Sequence, residues 1–390
     1  DRVEVPTPSE EAQRYYRSGN WLWFVNTLWG LLIPGLFLFT GLSARLRDWA
    51  TKLGRKWFFI IGFYFIFFIG IHYIISFPLS YYQGFVRPHA FDLSNQSFSK
   101  WFGDSLKALM LGGGMGFLFL WVPYGLVKRS PRRWWLYVSL LSAPTMLLMA
   151  FIVPIWVAPL FNDFGDLKNK VLEAKVLALA EKCDIADSRI FEVNKSVDTT
   201  ALNAYVTGFL NTKRIVLWDT IIAQLEEREL LAVLAHEMGH YVLDHVWRSL
   251  LYSSLLILAV LYLIHRTAWS WMRRFRGRFG FDQLGDVASF PLVLLLIHLA
   301  TLVVMPIPLA LSRYHEHEAD RFALEMTRDN SAMAHAFVKL QQHNLSNPRP
   351  GWIYKLWRAT HPPLGERIDF CNRYRPWQQG GPLIYQDRFR

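Results

Sequence analysis

Residues 57–82 read WFFIIGFYFIFFIGIHYIISFPLSYY, a run of 26 positions without an Asp, Glu, Lys or Arg. Wound as an α-helix it is about 39 Å long, more than the roughly 30 Å of a bilayer's hydrocarbon core. A helix on the surface of a soluble domain needs only an apolar stripe; one apolar on every side is buried, in a large core or in a membrane. Arg55 and Lys56 precede the run and Tyr81 and Tyr82 close it, the cationic and aromatic edging of a membrane interface. Working outward, five further segments have the same character, near Trp21–Leu42, Leu106–Val127, Trp134–Pro159, Val246–Ile264 and Val287–Leu311. Six membrane spans are therefore expected.

The composition agrees. Of the 390 residues 52% are hydrophobic, 16% aromatic and only 19% charged, against about 25% charged in soluble globular domains. This excludes a disordered chain and argues against a plain soluble enzyme. The net charge of +11 does not point to nucleic acid, because Lys and Arg fall in short clusters between apolar runs rather than along one face. The partner these clusters imply is the lipid bilayer. Cys183 and Cys371 form no Cys-x-x-Cys pair, so any metal must rest on His and carboxylate. Gly112 and Gly116 have a spacing that lets two membrane helices approach closely. His72 and His298, ionisable side chains inside apolar runs, read as hydrogen-bonded structural residues.

The chain turns polar at Asn162. Helical periodicity covers Asp166–Cys183, and β-rich runs follow at Ser188–Val193, Ala201–Leu210 and Thr212–Trp218, the last two flanking Asn211 as a hairpin. Glu229–His245, Tyr314–Thr327 and Ser331–Asn344 have helical patterns. The expected fold class is a mainly α membrane protein, a multi-helix transmembrane bundle capped by an α+β domain. Residues 1–20 would be a polar N-terminal segment, 21–161 four membrane helices, 162–245 the first part of the cap, 246–311 two more membrane helices and 312–390 the second part of the cap.

The chemistry lies in His236-Glu237-Met238-Gly239-His240. Helix positions four apart share a face, so both imidazoles can meet one ion, with Glu237 placed to polarise a water beside it. His245, five residues on, is expected to point elsewhere. A hydrolytic zinc site takes three protein ligands and keeps one open position. The third is sought in residues 312–320, SRYHEHEAD. Glu316 and Asp320 share a helical face from which Glu318 is turned away. That makes Glu316 the ligand and Asp320 the acceptor that orients a ligand imidazole. His315 and His317 read as solvated or structural histidines, though spacing alone leaves them as candidate donors.

Together with NAYVTGF at 203–209, RIVL at 214–217, HPPLGER at 361–367 and APLF at 158–161, these motifs resemble the type I CAAX prenyl protease family over about Trp21 to Phe370. Its members are integral-membrane zinc metalloendopeptidases of the gluzincin type. The resemblance implies one Zn2+ per chain on His236, His240 and Glu316, and Glu237 as general base. It implies Asn203 and His361 as catalytic residues near the scissile bond, and Asn203, Tyr205 and Arg367 in contact with the substrate. The cap would be a zincin-like metallopeptidase domain, and the substrate a peptide or protein, prenylated or unfolded. In that scheme Glu237 deprotonates a zinc-activated water and His361 meets the oxyanion, a contribution on the order of 3 kcal/mol. Residues 203–209, as an edge strand, would hold an extended peptide through its backbone. The family fold is seven membrane helices around a large chamber closed by the zinc domain; a seventh here would precede Trp21.

Loop charge and resemblance disagree about sidedness. Arg45–Lys56, Lys128–Arg133 and Arg266–Arg278 form three basic loops, whereas Gly84–Asp104 carries only Arg87 and Lys100. The excess of cations places the basic loops in the cytoplasm and the zinc domain outside, facing the periplasm in a bacterium; eukaryotic members present the site on the cytosolic side. Asp1 as a mature N-terminus left by a signal peptide would reconcile six spans with the outside location. Two other functions compete. A heat-shock-type membrane quality-control zinc protease needs the same centre, and a channel or transporter with a structural metal needs a fourth protein ligand that the sequence does not supply.

Overall fold

A backbone crossing lipid must satisfy every N–H and C=O within its own segment, so the apolar runs become helices. The computed structural model describes residues 2–183, 185, 188–208 and 213–389. Among them six helical stretches are long and apolar enough to cross a membrane: Glu10–Phe39, Trp57–Ala90, Phe98–Arg129, Trp134–Leu160, His245–Phe279 and Val287–Val304. The first four comprise α1 (Glu10–Phe39), α3 (Trp57–Tyr81) continued by α4 (Arg87–Ala90), α5 (Phe98–Phe119) continued by α6 (Trp121–Arg129), and α7 (Trp134–Ile152); a short amphipathic α2 (Leu42–Leu53) follows α1. Ile74, Met110 and Val303 are 71, 75 and 79% exposed, large apolar surfaces that lipid solvates and water does not.

Three boundaries differ from the sequence reading. Helix α1 starts at Glu10 rather than Trp21, capped by the Ser9 hydroxyl on the Ala12 N–H. Its polar first turns are pinned by buried Arg87, which donates to the Tyr15 carbonyl at 2.7 Å and to Ser18 at 3.0 Å. Helix α11 (His245–Phe279) continues past Ile264, so the basic stretch expected as a loop is helix. Arg is a good helix former, and its long stem lets the charge reach water from a membrane-edge turn. The last span divides into α12 (Phe290–Val304) and α13 (Pro306–Thr327), since Pro306 has no N–H to continue a helix but suits the start of one.

Within the bundle Gly116 lets α5 approach α3: a Cβ there would lie 1.9 Å from the Phe65 ring. His298 makes the expected hydrogen bond, to the Thr27 carbonyl at 3.0 Å, in a slot left open by Gly30. His72 does not; its ring lies 6.0 Å from that of Phe68, and among the described residues it has no hydrogen-bond partner. The basic segments gather at one end of the bundle, where Arg47 pairs with Asp286 at 2.6 Å and Lys128 lies against Gly285.

The cap holds a four-stranded sheet in the order β1-β2-β4-β3: β1 (Phe164–Asp166), β2 (Arg189–Val193), β3 (Ala204–Thr207) and β4 (Arg214–Trp218). β2 runs parallel to β4, and β1 and β3 pair antiparallel to their neighbours. The β3–β4 pairing is the expected hairpin, with Ala204 opposite Leu217; its turn at Asn211 lies outside the described residues. β3 is one of the two edges of the sheet among the described strands, β1 being the other. Helices α8 (Lys170–Lys182), α9 (Asp219–Gln224), α10 (Glu227–Val242), α14 (Asn330–His343), α15 (Trp352–Trp357) and α16 (Leu364–Arg373) complete the cap. α10 lies over β3 and against α8, α13 and α14, burying Leu217, Leu230, Leu234, Met238 and Phe322 in one core.

Candidate metal centre

Helix α10 is fixed at its start by a reciprocal cap. Glu226 accepts from a first-turn N–H while Glu229 accepts from the Glu226 N–H at 2.7 Å, and Lys339 pairs with Glu229 at 2.7 Å. Apolar residues Leu230, Val233, Leu234 and Met238 face the core, which leaves His236 and His240 on the side toward α13. Gly239 sets the separation of the two helices: a Cβ would stand 3.0 Å from the Phe322 ring and 3.3 Å from the Ala319 Cα. This close approach carries Glu316 to the imidazoles.

The three expected ligands converge. One donor atom from each of His236, His240 and Glu316 lies within 4.8 Å of the others. The two Nε2 atoms are 3.2 Å apart, with Glu316 Oε2 3.2 Å from that of His236 and Oε1 3.3 Å from that of His240. Glu316 Oε2 is buried without a well-formed hydrogen bond. His236 turns Nδ1 to Asp320 at 2.9 Å, so its Nε2 presents a lone pair to this gap. Lone pairs and a carboxylate facing inward repel one another unless a cation lies between them; a buried set of two imidazoles and one carboxylate suits a divalent ion.

Asp320, fully buried, accepts from Arg367 Nε at 2.8 Å and from Nη2 at 2.6 Å. Burial alone would raise the Asp320 pKa, but the guanidinium holds it below the usual carboxylate range. Burial likewise pushes Glu316 up, and the two histidines outweigh it, bringing the group far down. Glu237, half-buried, is raised by desolvation against the pull of His236 and His240, which suits a carboxylate that must take up a proton.

Two cavities meet at Glu237. One, of about 480 Å³, is lined by Asn203, Ala204, His236, His361 and Arg367 among others. The other, of about 510 Å³, is lined by His240 and Glu316 with Val246, Leu256, Ile307 and Leu311 from the ends of the membrane helices. His361 reaches the centre, its Nε2 3.3 Å from Glu316 Oε1, while Thr360 bonds its Nδ1. Its loop is held by Arg313, which donates to the carbonyls of Lys355 and Ala359 at 2.7 and 2.8 Å. Arg367 borders the first cavity, but its guanidinium is committed to Asp320 and stacks 4.0 Å over Phe337.

Two expectations need correction. Tyr205 lines neither cavity; strand alternation turns it to the opposite sheet face, beside Phe191, Val216 and Trp218, and Ala204 and Val206 take the metal side. His245 does not point away. Asp244, with φ of +57°, makes a tight turn that starts α11 beside the end of α10, bringing His245 Nδ1 2.9 Å from His240 Nδ1. Sequence spacing treats residues 236–245 as one helix and cannot show this reversal. The other histidines are structural: His315 is buried in a stack 4.4 Å from His245, and His317 packs 4.4 Å from Phe370.

Residues 166–374, more than half of the chain, match Peptidase family M48, and residues 7–163 match the family described as CAAX prenyl protease N-terminal, five membrane helices. The described residues of that second stretch supply four long apolar helices. An uncharacterized metalloprotease YhfN of Bacillus subtilis is 34% identical over 96% of this chain and 88% of its own. The CAAX prenyl protease 1 of Saccharomyces cerevisiae is 28% identical over 75% and 67% of the two chains. The crystal structure of S. mikatae Ste24p superposes with a TM-score of 0.80 at 23% identity, covering 92% of this chain and 87% of that one, a likeness of fold. The chain belongs to peptidase family M48 and is an integral-membrane metalloendopeptidase.

Proposed function

We propose that the metal is zinc, held by His236, His240 and Glu316, and that the enzyme cuts an extended peptide laid along β3, in the manner of CAAX-type processing. The observation that carries this is the position of Glu237, which opens onto both cavities beside the three donors and next to an edge strand. When bound, zinc would supply a Lewis acid for the attacking water and the scissile carbonyl. Glu237 takes a proton from that water on a carboxylate oxygen and returns it to the leaving amine. His361 Nε2 donates to the developing oxyanion, and Asn203 contacts the peptide backbone where it leaves the edge strand. Asp320 keeps the proton of His236 on Nδ1, and Arg367 keeps Asp320 ionised.

The apolar cavity bordered by Val246, Leu256, Ile307 and Leu311 supports a substrate with a large apolar group next to the cleavage site, such as a prenylated C-terminal segment. The test pairs metal analysis with cleavage of peptides that do and do not carry a farnesyl group, for wild type and Glu237→Gln. The variant should keep one zinc and lose at least about 100-fold in rate; full activity refutes the base. Faster cleavage of the farnesylated peptide is expected, whereas equal cleavage of any unfolded protein supports quality control. The gathering of the basic segments at one end supports a cap outside the cytoplasm. Labelling of a cysteine placed near Asn162 in intact cells is the expected result, and labelling only after lysis overturns that orientation.

A further inference from the structure

Nδ1 of His240 meets no carboxylate such as Asp320 provides for Nδ1 of His236, and a different device stands in its place. We infer that His245, backed by Glu318 and Arg248, is the positioning residue that fixes the tautomer and ring plane of His240 for the metal. The inference rests on the proposed ligand role of His240.

The argument is one of proton placement. If Nε2 of His240 faces the ion with a lone pair, its proton sits on Nδ1 and needs an acceptor. The atom at that position is His245 Nδ1, 2.9 Å away. Two imidazole nitrogens at this distance share one proton, so His245 Nδ1 must be the bare nitrogen and its own proton must be on Nε2. That buried Nε2 makes no well-formed hydrogen bond; the carboxylate oxygen facing it is Glu318 Oε2, 3.4 Å away, which Arg248 Nη1 holds at 2.9 Å. The ring of His315, stacked at 4.4 Å and 8° on that of His245, restricts rotation of the acceptor.

The placement explains an alternation on α13. Glu316 faces the metal ligands, Glu318 faces His245, and Asp320 faces His236, so one helix serves both imidazoles from either side. His245 and Arg248 lie in the first turn of α11, a candidate membrane span. The end of a membrane helix thus forms part of the support of the metal site.

The test compares wild type, His245→Phe and His245→Gln as full-length proteins in detergent. Phe keeps a ring against His315 but cannot accept a hydrogen bond, whereas Gln can. The readouts are zinc affinity by competition with a chelator and the visible spectrum of the Co2+-substituted protein. Zinc affinity should fall about 10–100-fold in the Phe variant with an altered cobalt spectrum, and Gln should recover part of both. Unchanged affinity and spectrum in the Phe variant, or a Gln variant as weak as Phe, overturns the inference while the zinc reading stands. Wild type that binds no metal overturns both. Should the Phe variant not fold, Glu318→Ala carries the same test: a smaller loss of affinity is expected, and none overturns the inference.

Discussion

At the residue scale the proposed metal ligands double as an ion-pair cluster when no metal is bound. Burial pushes the His236 pKa down, but the carboxylates of Asp320 and Glu316 more than offset it and raise the value to about 10. The unfolded value is about 6.5, so the protonated ring stabilises the metal-free fold fully below that pH, and this contribution is lost as pH rises toward about 10. Melting of chelator-treated protein should therefore fall between these limits. Zinc replaces the proton on binding, so the loaded protein should not show that slope; the same slope with zinc bound would sink the assignment. Asp320→Asn should flatten the slope as well. It also strips buried Arg367 of its nearer counterion, leaving only Glu316 at 3.8 Å, at a cost of about 3–5 kcal/mol in thermal or denaturant unfolding.

At the element scale the helices depend on where side chains are missing. A methyl on Gly116 would enter the Phe65 ring, so Gly116→Ala should destabilise the bundle by about 1–3 kcal/mol in a detergent melt. Phe65→Ala in the same chain should recover part of this loss, and additive effects of the two changes would refute the contact. Such pairs mark what could be read in advance. The apolar runs and His236–His240 are local patterns in which one segment carries both the periodicity and the chemistry, and they declare themselves. Glu316 and Asp320 could be placed because one helical face holds both. Strand β1 could not: Phe164–Asp166 is extended through its pairing with Phe191–Val193, a contact that its own three residues do not encode. His245 was hidden by one left-handed residue, Asp244. Tyr205 was misplaced because a motif match carries no information about which sheet face a side chain takes.

At the scale of the whole molecule, catalysis in a membrane requires the cap to stay in register with the bundle, and one carboxylate is central to that joint. Asp198, in the loop before β3, receives Lys100 of α5 at 2.8 Å, Gln96 at 3.1 Å, Lys195 at 3.1 Å and Asn162 at 2.6 Å. Lys100 also donates to the Phe161 carbonyl, so the N-terminal turn of α5 grips both the end of the fourth span and the cap. Partial burial would raise the Asp198 pKa, but the hydrogen bonds from Lys100, Asn162 and Lys195 bring it below its ordinary value. A depressed carboxylate stabilises the fold above its unfolded pKa of about 4, and that contribution is lost as pH falls through the lower folded value. Asp198→Asn should cost about 1.5–3 kcal/mol at pH 7, the range for hydrogen bonds to a charged group. The difference from wild type should begin to shrink as the pH drops below about 4, where the unfolded chain takes up the proton, and close once the pH passes the lower folded value, where the native side chain is protonated too. Melting curves of the two proteins in detergent from pH 7 downward decide it: a gap that stays constant or widens in acid would show that the charge on Asp198 does not hold cap and bundle together.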